Sequence, residues 1–140
     1  MRLSISQNIK GILAVMRLPL LFAILMFTIH LLKYSEGISL HGLGIQPLKW
    51  EGLLGVLTSP FVHGSFEHLY SNLLPLLALG TALHYAYPTV ALRVWFFGWI
   101  FTGFWVWLGA RPSVHIGASG IVYMLFAFLF VLFGKKTVQI

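Results

Sequence analysis

Four long apolar stretches, bounded by lysine, arginine or turn residues, constrain this chain more than any other feature of its sequence. They cover about residues 18–32, 66–87, 91–108 and 117–133. About 20 apolar residues match the thickness of a bilayer's hydrocarbon core. Backbone at that depth must satisfy its own hydrogen bonds, and a helix does so within one segment. Only 9% of the 140 residues are charged and 59% are hydrophobic, whereas a soluble domain carries about 25% charged residues. The expectation is an all-α polytopic membrane protein with four transmembrane helices.

The connections have different characters. Residues 1–17 mix Arg2, Lys10 and Arg17 with apolar positions and read as a cytoplasmic N-terminal segment. An earlier start to the first span, near Ile12, requires Arg17 to snorkel to the interface. A cleaved signal peptide is the rival reading of this end. The sequence after Leu32, Lys33-Tyr34-Ser35-Glu36, offers no small-x-small cleavage site, so an uncleaved anchor is preferred. Residues 34–60 are glycine-rich yet dotted with Leu48, Trp50, Leu53, Leu54 and Leu57, which suits short amphipathic helices in the headgroup region. A tight turn at Pro88 and a loop holding Arg111, Pro112 and His115 join the later spans, and 137–140 read as a truncated end.

Arg2, Lys10, Arg17, Arg93, Lys135 and Lys136 fall on one side of the bilayer, and Lys33, Lys49 and Arg111 on the other. The richer side is expected to be cytoplasmic, which puts the N-terminus inside. Because the basic residues sit singly at span ends, the net charge of +6 does not form a nucleic-acid patch. Cysteine is absent, which removes disulfides and thiolate chemistry. The only acids are Glu36, Glu51 and Glu67, too few and too scattered for a carboxylate dyad or an acidic metal cage. No cofactor is expected.

Polar side chains inside spans are costly and usually have a task or a partner. One group, His63, Ser65, His68 and Asn72, lies at the outer end of the second span; His68 and Asn72, four residues apart, share a helical face. The other, Gly117-Ala118-Ser119-Gly120, lies at the outer end of the fourth. Span order and charge place both at one depth. A serine at a helix N-terminus has unpaired backbone N–H groups and the positive dipole end beside it, and these suit a developing oxyanion. Together the groups describe an acyl-transfer site in which Ser119 attacks while His68 and Asn72 stabilise negative charge. Blander readings stand beside this one. Gly-x-Ser-Gly is commonly a helix-packing surface, His68 alone is a satisfied polar residue, and Asn72 alone bridges two helices. Pro75 and Gly80 allow a kink or close packing. The aromatic third span is a lipid-facing or core surface. His30 and His84 are assigned no chemistry. A third alternative is a metal or proton pathway through His63, His68 and His115.

These residues resemble the rhomboid family of intramembrane serine proteases. His63-Gly-Ser65-Phe-Glu-His68-Leu-Tyr-Ser-Asn72 matches that family's His-x-Ser-x-x-His-x-x-x-Asn at every fixed position, and Gly117-Ala-Ser119-Gly120 matches its Gly-x-Ser-Gly. Tyr123 matches a tyrosine that packs on the family's catalytic histidine, and Thr58 to Phe61 resembles the approach to the second-span helix. Glu51 follows Trp50 where the family commonly has arginine. The resemblance implies a six-helix core and a serine–histidine dyad. Ser119 would be the nucleophile, with His68, Asn72 and the Ser119 N–H as the oxyanion hole. His63, Gly117, Gly120 and Tyr123 would support the site. It also implies transmembrane protein substrates, no metal and no nucleic acid, and a base on a sixth helix. Residues 18–136 cover four of the six helices, so the expectation is a protease fragment without its base. The alternative is an inactive relative that binds transmembrane clients. A bacterial plasma membrane is the expected location.

Overall fold

The computed structural model describes the backbone of residues 5–137 and the side chains of residues 11–132. The two ends, 1–4 and 138–140, lie outside the described residues. Five α-helices occur in the order α1 (Ile5–Glu36), α2 (Leu54–Thr58), α3 (Phe66–Ala86), α4 (Ala91–Gly109) and α5 (Ser119–Thr137), with no β-strand among the described residues. Short 3₁₀ turns at His41–Leu43, Trp50–Leu53 and Ser59–Phe61 flank α2. Tyr34 to Glu36, expected to open the long connection, continue α1 instead, and the connection from Gly37 to Phe61 consists of short turns around α2.

α1 has no break at Arg17 and runs for 32 residues through Pro19, which at 1.5 Å per residue is about 48 Å. Within it Gly11–Glu36, and separately α4, are long and apolar enough to cross a bilayer. In α5 the apolar part is Ser119–Leu132.

α3 packs on α1 along one side and on α5 along the other, and α4 packs against α5 and α2. Small residues set these approaches. A β-carbon on Gly80 would stand 2.8 Å from Pro19 Cγ and collide with the Trp95 ring, so this glycine lets α1, α3 and α4 meet. Pro75 leaves α3 continuous. Gly98 receives Met124 of α5, and Gly103 receives Val56 of α2.

The core holds Phe22, Met26, Leu69, Leu76, Leu83, Trp95, Ile121 and Leu125. Phe22 meets Trp95 edge-on at 5.3 Å and Trp99 at 5.2 Å, while Phe61 closes on Trp99 at 5.6 Å. Each such pair is worth about 0.5–1.5 kcal/mol beyond its buried area. The aromatic helix α4 therefore divides its rings: Trp95 is in the core, while Phe96, Phe97, Phe101 and Trp105 face outward. α4 also holds the interfacial segment, since Trp99 Nε1 donates to Val56 O at 3.0 Å and Trp107 Nε1 to Lys49 O at 2.8 Å.

Candidate active site

The start of α3 is built by its own sequence. Ser65 has extended backbone, and its Oγ accepts from His68 N–H at 3.1 Å, capping the helix. Glu67 lies in the first turn, where the helix dipole favours negative charge. One turn on, buried Asn72 donates from Nδ2 to His68 O at 2.8 Å. An amide nitrogen has two hydrogens, so this bond leaves a second donor.

The start of α5 is built by tertiary contacts. Gly117 has φ +106°, a conformation that glycine adopts without steric cost. Its N–H donates to Ser59 O at 2.9 Å. Two residues earlier, His115 exchanges both backbone hydrogen bonds with Ile45, at 2.8 and 2.9 Å. Ile45 and Ser59, from the connection between α1 and α3, therefore hold the loop that delivers Ser119. The helix's own ladder begins with Val122 N–H to Ala118 O, leaving the N–H groups of Ser119, Gly120 and Ile121 outside it.

These two helix starts meet at Gly117. A β-carbon there would lie 2.6 Å from His68 Nε2, 2.8 Å from its Cε1 and 3.8 Å from Asn72 Nδ2. Residues 68, 72 and 117 are thus brought together from parts of the chain separated by α4, and Ser119 follows Gly117 by two residues. The packing reading of Gly-x-Ser-Gly holds as well, because Ala118 is fully buried and a β-carbon on Gly120 would press on Thr102 of α4 at 3.3 Å. A cavity of about 110 Å³ adjoins Ser119, lined among others by Ser59, Thr102, His115, Gly117 and Gly120; His68 and Asn72 are not in its walls.

His63 is fully buried, with its ring edge-on to that of His68 at 5.0 Å. Neither of its ring nitrogens finds a hydrogen-bond partner among the described residues. Burial pushes its pKa down to about 4, assisted by the neighbouring charges of His68, His30 and Lys33. His63 is thus neutral at ordinary pH.

Other candidates stand apart. His115 directs Nε2 to Arg111 O at 3.0 Å and Ser113 Oγ at 3.3 Å. No hydrogen bond joins Ser119 to a histidine among the described residues. Tyr123, one turn beyond Ser119, is 74% exposed. No three His, Asp or Glu side chains among the described residues are close enough to hold a metal ion. His84 bonds only within its helix, to Gly80 O. Sequence reasoning missed Lys33, treated only as an orientation charge, and Ser59, whose carbonyl anchors Gly117. Ser59 lies within the Thr58 to Phe61 stretch already read as the approach to the second-span helix, but its carbonyl was given no task; Lys33 carried one signal, its place in the last turn of an apolar helix.

The Rhomboid domain model matches residues 50–140. An uncharacterized protein of Mycobacterium tuberculosis is 37% identical over 127 residues, covering 84% of this chain and 52% of that protein. An uncharacterized protein of Mycobacterium leprae is 34% identical over 118 residues, covering 80% of this chain and 47% of that protein. The chain therefore spans about half the length of these curated relatives. No solved structure matches it.

Two outcomes follow from this geometry. Gly117→Ala forces either a strained backbone or a displaced His68 ring, and is expected to lower stability by about 1–3 kcal/mol; a melting curve in detergent that matches wild type would contradict the placement. His63 adds a pH dependence. Below about pH 6.5 the unfolded chain protonates this residue while the folded chain does not until about pH 4. Stability should therefore fall as pH drops through that window and level off beneath it, with a shallower fall in His63→Gln.

Proposed function

Because the chain belongs to the rhomboid family, we propose that it carries the nucleophile and oxyanion half of an intramembrane serine endopeptidase site acting on membrane-anchored proteins. The observation that carries this reading is the approach of Gly117 to His68 Nε2 and Asn72 Nδ2 beside the unpaired N–H groups that open α5. Ser119 Oγ attacks the scissile carbonyl and its proton leaves to a base. The developing oxyanion takes hydrogen bonds from the Ser119 N–H, Asn72 Nδ2 and the His68 ring, in the tautomer protonated on Nε2. His63, neutral and packed on His68, keeps that ring in place. Gly120 lets α5 close on α4.

In this reading the base is a histidine of a further helix, as the family resemblance implies, and that helix covers the Tyr123 face. General-base help is worth about 10²–10⁴-fold, so Ser119 of the 140-residue chain reacts slowly by itself. That no hydrogen bond joins Ser119 to a histidine among the described residues favours one second reading, an inactive relative that holds transmembrane clients without cleaving them.

The four apolar helices α1, α3, α4 and α5 are the proposed spans, with the N-terminus cytoplasmic and the site near the outer face. The mycobacterial relatives favour a bacterial plasma membrane.

A fluorophosphonate probe tests the site. It is expected to label wild type and not Ser119→Ala, with His68→Ala and Asn72→Ala each slowing labelling about 10²–10³-fold, the usual effect of losing one oxyanion donor. No labelling of wild type, together with client capture that Ser119→Ala leaves intact, would favour the binder. Topology is open to a separate check, since the chain has no cysteine of its own. In intact cells an impermeant maleimide should reach Arg111→Cys and not Arg93→Cys; the reverse pattern would overturn the orientation.

A further inference from the structure

Lys33 sits in the last turn of α1, half-buried. Its Nζ donates to His63 O at 2.7 Å and to Gly64 O at 3.3 Å. A lysine that only marks a span end extends its ammonium into water. This one reaches a loop 30 residues away and forms no ion pair among the described residues, although Glu36 and Glu67 are near in sequence to the groups it joins. The next residue of that loop, Ser65, caps α3 through its Oγ. Three consecutive residues are therefore fixed just before the turn that carries His68: two by the ammonium and one by the cap. The bonded residue His63 also lays its ring on that of His68. Charge-assisted hydrogen bonds are roughly twice as strong as neutral ones, and the cation additionally disfavours protonation of the unpartnered His63 ring.

We propose that Lys33 is a positioning residue for the candidate oxyanion site. By clamping the carbonyls of His63 and Gly64 to the end of α1, it sets the height of the first turn of α3, and so the fit of the His68 ring against Gly117. Its effect on reactivity rests on the reading of Ser119 as a nucleophile; the clamp itself does not.

Two measurements on the 140-residue chain in detergent micelles separate these. Amide hydrogen exchange over residues 61–69 should quicken about tenfold in Lys33→Met, with α5 unchanged, as expected for loss of a charged hydrogen bond at a local opening. Lys33→Arg should restore protection. Lys33→Gln, which keeps a donor without the charge, should fall between and serves if the methionine variant does not fold. The fluorophosphonate labelling rate of Ser119 should follow the same order, with Lys33→Arg close to wild type. Unchanged exchange in both Lys33→Met and Lys33→Gln, or a loss that arginine fails to reverse, overturns the clamp. Faster exchange with unchanged labelling overturns the positioning role. If wild type is not labelled even with imidazole added as an external base, the nucleophile reading falls, and exchange alone still decides the clamp.

Discussion

The backbone of Gly117 and the ring of His68 occupy space that would overlap if residue 117 carried a β-carbon. Everything at this end of the molecule depends on that close approach. Its φ of +106° turns the chain so that the next residues enter α5, while its N–H is bound by Ser59. With Ile45 paired to His115 just upstream, the interfacial segment, the start of α3 and the start of α5 become one assembly. Ser119 is thus delivered as the first residue of a helix, and the unpaired N–H groups beside it are a consequence of where the helix starts.

The helices themselves are held together by shape. Gly80 admits Trp95 and Pro19, and the rings of Phe22, Phe61, Trp95 and Trp99 fill the space between α1, α4 and the turn before α3. In an apolar solvent the hydrophobic effect does little to join helices, and close packing carries more of the association. That explains why glycine recurs at helix crossings here, at residues 80, 98, 103 and 120, while the outward-facing Phe96, Phe97 and Phe101 of α4 pack on one another. The tryptophans add a polar end: their indole N–H groups at 99 and 107 reach carbonyls of the interfacial segment, satisfying backbone that turns too often to satisfy itself.

Beside His68 lies a cluster of polar groups around His63. A buried imidazole with no hydrogen-bond partner is unfavourable, and charging it would be worse. Burial foremost, with the Lys33 ammonium adding to it, holds this ring neutral, and it packs on His68 as an aromatic face. The same lysine bonds the loop's carbonyls, so one residue of α1 joins the first span to the turn that opens α3.

The sequence by itself determined much of this protein. The length and spacing of its apolar stretches specified helices, since a chain with so few charges has no other way to bury its backbone. The histidine–asparagine spacing of four placed residues 68 and 72 on one face by helical geometry alone, and the Ser65 cap needed only local hydrogen bonds. The Gly-x-Ser-Gly stretch was ambiguous between packing and chemistry, and tertiary structure shows two different close approaches in it: Gly120 packs on α4, while Gly117 admits His68. The sequence left the start of α1 open between Leu18 and a point near Ile12, and the helix runs on through both Arg17 and Pro19. The parts played by Lys33 and Ser59 were not legible. Their partners lie 30 and 58 residues away, and a contact at that separation leaves no periodic trace in a single chain. Only the fold, by bringing α1, α3 and α5 to one place, decided which polar groups meet.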